Sequence, residues 1–141
     1  MQSHTVSNNQ IHRSNFTFLR RALQSNALFS LLTGLAFIVA SGPLARFLGA
    51  NIPSAVVFAV GVSLLPFGYG VYRVAAQPQI VPRQAGIITI MDITWVIGSY
   101  LLLALAWDAF SVAGRWFVGL QAEAVFTFAV LQFIGLRRLR K

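Results

Sequence analysis

Four long apolar stretches, separated by short polar or proline-containing breaks, dominate the chain. They run from about Ala22 to Ser41, Ser54 to Ala76, Ala85 to Trp107 and Trp116 to Leu136. None shows the strict apolar–polar alternation of a half-buried strand. Each is close to the ~20 residues a helix needs to cross a ~30 Å hydrocarbon core. Helices also satisfy their own backbone groups in lipid. The predicted fold is therefore all-α: a membrane four-helix bundle in a single domain over residues 19–141. Residues 1–18 (MQSHTVSNNQIHRSNFTF) are polar and lack periodicity, which predicts a flexible cytoplasmic tail.

The breaks are short. In GPLARFLGANIP (42–53), Leu44, Phe47 and Leu48 lie at helical spacing around Arg46, as in one interfacial turn. QPQIVPRQ (77–84) contains Pro78 and Pro82, which block helix continuation. DAFSVAGR (108–115) is small and polar. Short connections force successive helices to run antiparallel, giving up-down-up-down topology.

Charge then orients the bundle. Of the 11 lysines and arginines, nine (Arg13, Arg20, Arg21, Arg73, Arg83, Arg137, Arg138, Arg140, Lys141) fall on one side and two (Arg46, Arg115) on the other. The positive-inside rule places both termini in the cytoplasm. Tyr69, Tyr72, Trp107 and Trp116 lie near the segment ends, where aromatic belts sit. Arg20-Arg21, an apolar run and the small residues Val39–Gly42 imitate a signal peptide. The long tail before them and three further spans favour an uncleaved first helix.

Composition agrees with lipid as the solvent. The chain is 57% hydrophobic and 10% charged, against about 25% charged in soluble domains. The net charge of +8 would suggest nucleic acid in a soluble protein. Here it marks segment ends, and no nucleic-acid partner is expected. The absence of cysteine excludes thiolate metal sites, iron–sulfur clusters and thiol redox chemistry. The only histidines, His4 and His12, lie in the tail, which excludes haem held between the helices. No catalytic set, metal site or cofactor is expected.

The chemistry that remains is a handful of polar groups inside the spans. Asp92, Trp95 and Ser99 share one face of the third helix. Asp92 lies roughly 10 Å along the axis from the basic end. Ser30 reaches a similar depth, with Asn26 and Gln132 nearer that end, so Asn26, Ser30, Asp92 and Gln132 form a candidate cluster if their helices turn inward. Glu123 enters the fourth span from the opposite side, offset from Asp92 by roughly 10 Å at the same rise. Direct sharing of a proton between them is not expected. A carboxyl buried without a cation is expected to hold its proton. Intramembrane ionisable groups are functional candidates by default, yet a neutral acid can also pin two helices together.

Small residues supply the packing candidates. Ala22, Asn26, Ser30 and Gly34 repeat every four positions in the first helix, as do Ala55, Ala59 and Ser63 in the second. Such repeats let membrane helices approach closely, within one subunit or in a homo-oligomer. Pro66, followed by Gly68 and Gly70, is a candidate kink or hinge.

LRRALQSNALFSLLTG (19–34) followed by DITWVIGSYLLL (92–103) resembles a group of small uncharacterised bacterial four-span membrane proteins. The chain is also similar, in architecture alone, to DoxX-type four-helix proteins. The resemblance implies the bacterial inner membrane and no defined activity. Two function classes stay open. One is a non-catalytic accessory subunit or a binder of lipid or another hydrophobic ligand, partnered by the bilayer and by a membrane protein or second copy. The other is an oligomeric proton-coupled small-molecule transporter using Asp92 and Glu123. A membrane isomerase using Asp92, Glu123 and Trp95 is a remote third.

Overall fold

A computed structural model describes residues 2–141, with side chains from Ser7 onward. Its helices are α1 (Gln2–Val39), α2 (Ser41–Leu48), α3 (Ser54–Ala75), α4 (Pro82–Leu105) and α5 (Val112–Leu139), with one 3₁₀ turn at Trp107–Ala109. Four of them (α1, α3, α4 and α5) are long and apolar enough to cross a membrane. The fold is an all-helical bundle, and α2 is the short turn expected between the first two spans.

The first helix begins far earlier than polarity alone suggests. Residues 2–18 continue α1 instead of forming an irregular tail. No glycine or proline precedes Gly34, so nothing stops helix propagation outward from the buried part. At 38 residues, α1 extends about 57 Å at 1.5 Å per residue, well beyond a ~30 Å hydrocarbon core. The boundary at residue 18 falls inside packed structure. Phe16 packs on the core near Leu19, Asn15 Nδ2 donates to the Arg138 carbonyl, and Arg138 lies 4.8 Å from the centre of the Phe18 ring.

Prolines act differently by position. Pro82 opens α4 at its first turn, where a missing N–H costs nothing. It therefore ends the loop instead of blocking a helix. α3 runs through Pro66 as one helix, with Pro66 on its exposed side.

Packing runs in the order α3, α1, α5, α4 around the bundle. α1 lies along α3 for most of its span and also against α5, and α5 packs on α4. α3 and α4 are neighbours in sequence but scarcely touch. Two apolar cores result. One, at the basic end, joins Leu19, Leu23, Val71, Ala75, Ile88 and Leu136. The other joins Phe37, Ala45, Leu48, Val57, Leu103 and Phe110. The polar positions of α1, α4 and α5 lie between them.

The α1–α3 contact corrects the expected packing register. Ala55 and Ala59 face outward, and Ser63 is exposed too, its hydroxyl donating back to the Val60 carbonyl at 2.7 Å. The buried face of α3 is Val57, Gly61, Leu64, Gly68, Val71 and Ala75. Glycine decides this register, because it permits a closer backbone approach than alanine. A Cβ at Gly61 would lie 2.8 Å from both the Gly34 carbonyl oxygen and Phe37 Cβ. Gly34 is thus at the interface, opposite Gly61 and not opposite a member of the Ala55, Ala59, Ser63 repeat. Gly61→Leu is expected to destabilise the bundle by about 2 kcal/mol through overpacking. A thermal midpoint in detergent equal to wild type would contradict that contact.

Candidate functional site

α1, α4 and α5 each turn one polar side chain to a common point. Asn26 and Gln132 are fully buried and Asp92 is 2% exposed. Asn26 Nδ2 donates to Asp92 Oδ2 at 2.7 Å, and Gln132 Nε2 donates to the same oxygen at 2.9 Å. Each amide is oriented in turn from behind. Ser30 Oγ donates to Asn26 Oδ1 at 3.2 Å. Thr89 Oγ lies 2.9 Å from Gln132 Oε1 and 3.0 Å from the Ala85 carbonyl, sharing its single proton between them. The hydrogen bonds therefore run inward and converge on one carboxyl oxygen.

The structure brings together Asn26, Ser30, Asp92 and Gln132, although the sequence placed Asn26 and Gln132 nearer the basic end than Asp92 and Ser30. Thr89 joins them and was missed. Its signal was its place three residues before Asp92, on the same face of α4. The helices turn these groups inward because unpaired polar groups in hydrocarbon cost several kcal/mol each.

Asp92 also faces space. A cavity of about 230 Å³ lies between the four long helices, walled by Phe29, Phe67, Trp95 and Val125, with Ser30, Thr33 and Asp92 on its polar side. Both amide donors go to Oδ2. Among the described residues Oδ1 receives no hydrogen bond. Trp95 Nε1 donates to Gln121 Oε1 at 3.2 Å, so the indole is held as a fixed wall. Gln121 was not anticipated. It is one of few polar residues in α5, and nothing in the sequence pairs it with Trp95.

Met91, Trp95 and Gln121 also line a second, larger space of about 620 Å³. It fills the gap where α3 and α4 fail to pack. Its walls include Val56, Val57 and Val60 of α3, Gly98 and Leu102 of α4, and Phe37, Phe110 and Phe117. Ser99 lines this second space, and its hydroxyl donates to the Trp95 carbonyl at 2.8 Å. Asp92, Trp95 and Ser99 thus follow one face, but Ser99 stands apart from the Asp92 cluster.

Glu123 lies elsewhere. It is on the exposed side of α5, where Tyr100 of α4 donates its hydroxyl to Glu123 Oε1. The phenol, unforeseen as its partner, covers a carboxyl at the bundle surface. The two carboxyls do not share surroundings. Among the described residues no three histidine, aspartate or glutamate side chains cluster as metal ligands.

These features define a multi-pass membrane protein with a polar cluster at its centre and a side cleft between two of its helices. The chain matches no known protein family, no curated protein and no solved structure.

Proposed function

We propose that this is a non-catalytic binder of a single-chain amphiphile taken from the bilayer. The polar end sits in the Asp92 cavity and the apolar chain lies in the α3–α4 cleft. One observation carries the reading: a small cavity with a polar side and an apolar cleft of about 620 Å³ adjoin, sharing Met91, Trp95 and Gln121 as lining residues. That volume is in the range of small-molecule sites, roughly 300–1,000 Å³. A gap between two spanning helices faces lipid, so the ligand has a lateral way in. The bias of basic residues supports a bacterial inner-membrane orientation with both termini cytoplasmic. Asp92 then sits toward the cytoplasmic leaflet.

A proton-coupled transporter using Asp92 and Glu123 is the less favoured reading. It needs a polar route between the carboxyls, and one is central while the other is on the surface with Tyr100. An isomerase needs Asp92 and Glu123 to face one substrate, and they do not.

Gly98 supplies the test. A Cβ there meets nothing within 4 Å, and the residue lines the cleft. Gly98→Leu is expected to fill the cleft without disturbing the fold. Trp95 serves as reporter after Trp107→Phe and Trp116→Phe. In phosphatidylcholine vesicles, 11-bromoundecanol should quench Trp95 saturably, and Gly98→Leu should weaken that binding at least tenfold. Quenching that only tracks bulk partitioning, identical in both proteins, would sink the proposal.

A further inference from the structure

We infer that the polar end of this ligand is an organic ammonium, so that the site selects alkylamines over alcohols and fatty acids of the same chain length. The inference rests on the cleft being a binding site and adds the chemistry of its head-group end.

The amides around Asp92 suit an anion once a cation joins it. Both of its partners are N–H donors, at 2.7 and 2.9 Å, and both reach Oδ2. Their carbonyl oxygens are turned away, toward the hydroxyls of Ser30 and Thr89. Among the described residues the two side chains bonded to the carboxyl both act as donors to it. Donors to the charged form favour that form. Yet a carboxylate buried in hydrocarbon also calls for a cation, and among the described residues no arginine or lysine lines either cavity. The basic residues lie toward the ends of the spans. The protein thus prepares one half of an ion pair and leaves the other half to the cavity.

The cavity itself suits a cation. Oδ1 is the carboxyl oxygen left without a protein donor, and Asp92 lines the space. The rings of Phe29, Phe67 and Trp95 form much of the remaining wall. Aromatic faces attract ammonium groups, more strongly where water is excluded. Trp95 cannot swing away easily, because its N–H is held by Gln121. An ammonium N–H donating to Oδ1 would complete the pair, with its alkyl chain leading into the apolar cleft. An alcohol can donate to the same oxygen but leaves the charge uncompensated. A fatty-acid carboxylate would meet like charge.

The experiment uses the full chain in neutral phosphatidylcholine vesicles, in the variant with Trp95 as sole tryptophan. Three chain-matched quenchers are compared at equal bilayer concentration: 11-bromoundecylamine, 11-bromoundecanol and 11-bromoundecanoic acid. The amine is expected to bind at least tenfold more tightly than the alcohol, and the acid most weakly. Asp92→Asn should abolish the preference, so that amine and alcohol bind that variant equally, whatever its affinity for the alcohol. Equal amine and alcohol affinities in the parent protein overturn the inference, whether or not Asp92→Asn reconstitutes. An amine preference that survives Asp92→Asn overturns it too. If none of the three quenches saturably, the cleft reading fails and this inference with it. Saturable alcohol binding without amine preference leaves the cleft reading standing and removes only the ammonium.

Discussion

Asn26→Ala is expected to cost about 2 kcal/mol of stability, the size of a hydrogen bond to a charged group. Interhelical hydrogen bonds in membranes are often weaker, averaging about 0.6 kcal/mol, because the unfolded chain also finds partners. Three features place this bond above that average. Its acceptor is a carboxyl, both partners are buried, and among the described residues it is the shorter of two hydrogen bonds to that oxygen. Removing the amide also strips Ser30 of its side-chain acceptor. The loss should be coupled to Asp92. In an Asp92→Leu background, Asn26→Ala should cost at least about 1 kcal/mol less, since contacting groups interact by 0.5–3 kcal/mol. Unfolding midpoints in mixed micelles for the four proteins of this cycle give the coupling. Additive effects would mean that the two side chains are neighbours without a stabilising bond.

Gly114→Ala should destabilise still more, by about 3 kcal/mol, combining overpacking with lost hydrogen bonds. α5 starts directly against the end of α2. Ser111 N–H donates to the Leu48 carbonyl at 2.7 Å, and Ser111 Oγ donates to the Phe47 carbonyl at 2.7 Å. These are carbonyls that the end of α2 would otherwise leave unpaired. The same Oγ accepts from Gly114 N–H at 2.9 Å, capping α5. A Cβ on Gly114 would overlap the Leu48 carbonyl oxygen and lie 2.8 Å from Leu48 Cα. The obstacle is backbone, which no rotamer change removes. Relief requires α2 and α5 to part, and the Ser111 bonds break with them. Gly119→Ala, where an added Cβ meets nothing within 4 Å, is the control and should stay within about 0.5 kcal/mol of wild type. Equal thermal midpoints for both variants in detergent would refute the close contact.

Polar residues were the most legible part of the site, for a reason specific to lipid. In water an amphipathic helix advertises its inner face. In a bilayer both faces of a spanning helix are apolar, so hydropathy carries little information about rotation. A group such as Asp92, Asn26 or Gln132 is then the one mark of which way a helix turns, because each must find a partner away from hydrocarbon. Their positions in the basic-end halves of three helices were enough to make them candidates for one cluster. Glu123 shows the limit of the same logic. Depth separated it from Asp92, but only the fold set it on the bundle surface beside Tyr100.

Length, hydropathy and short connections determined that the chain is helical and that four helices can span a membrane. The absence of breakers before Gly34 also left residues 2–18 free to extend α1, although their polarity read as a tail. The rotation of α3 was decided by tertiary structure. Repeats of small residues at two registers competed, and the one carrying Gly61 and Gly68 won because glycine lets two backbones come closer than alanine does. The order α3, α1, α5, α4 likewise came from packing. It separates two helices adjacent in sequence and so creates the cleft. No local pattern encodes that gap, since it is the space left where side chains of distant segments fail to meet.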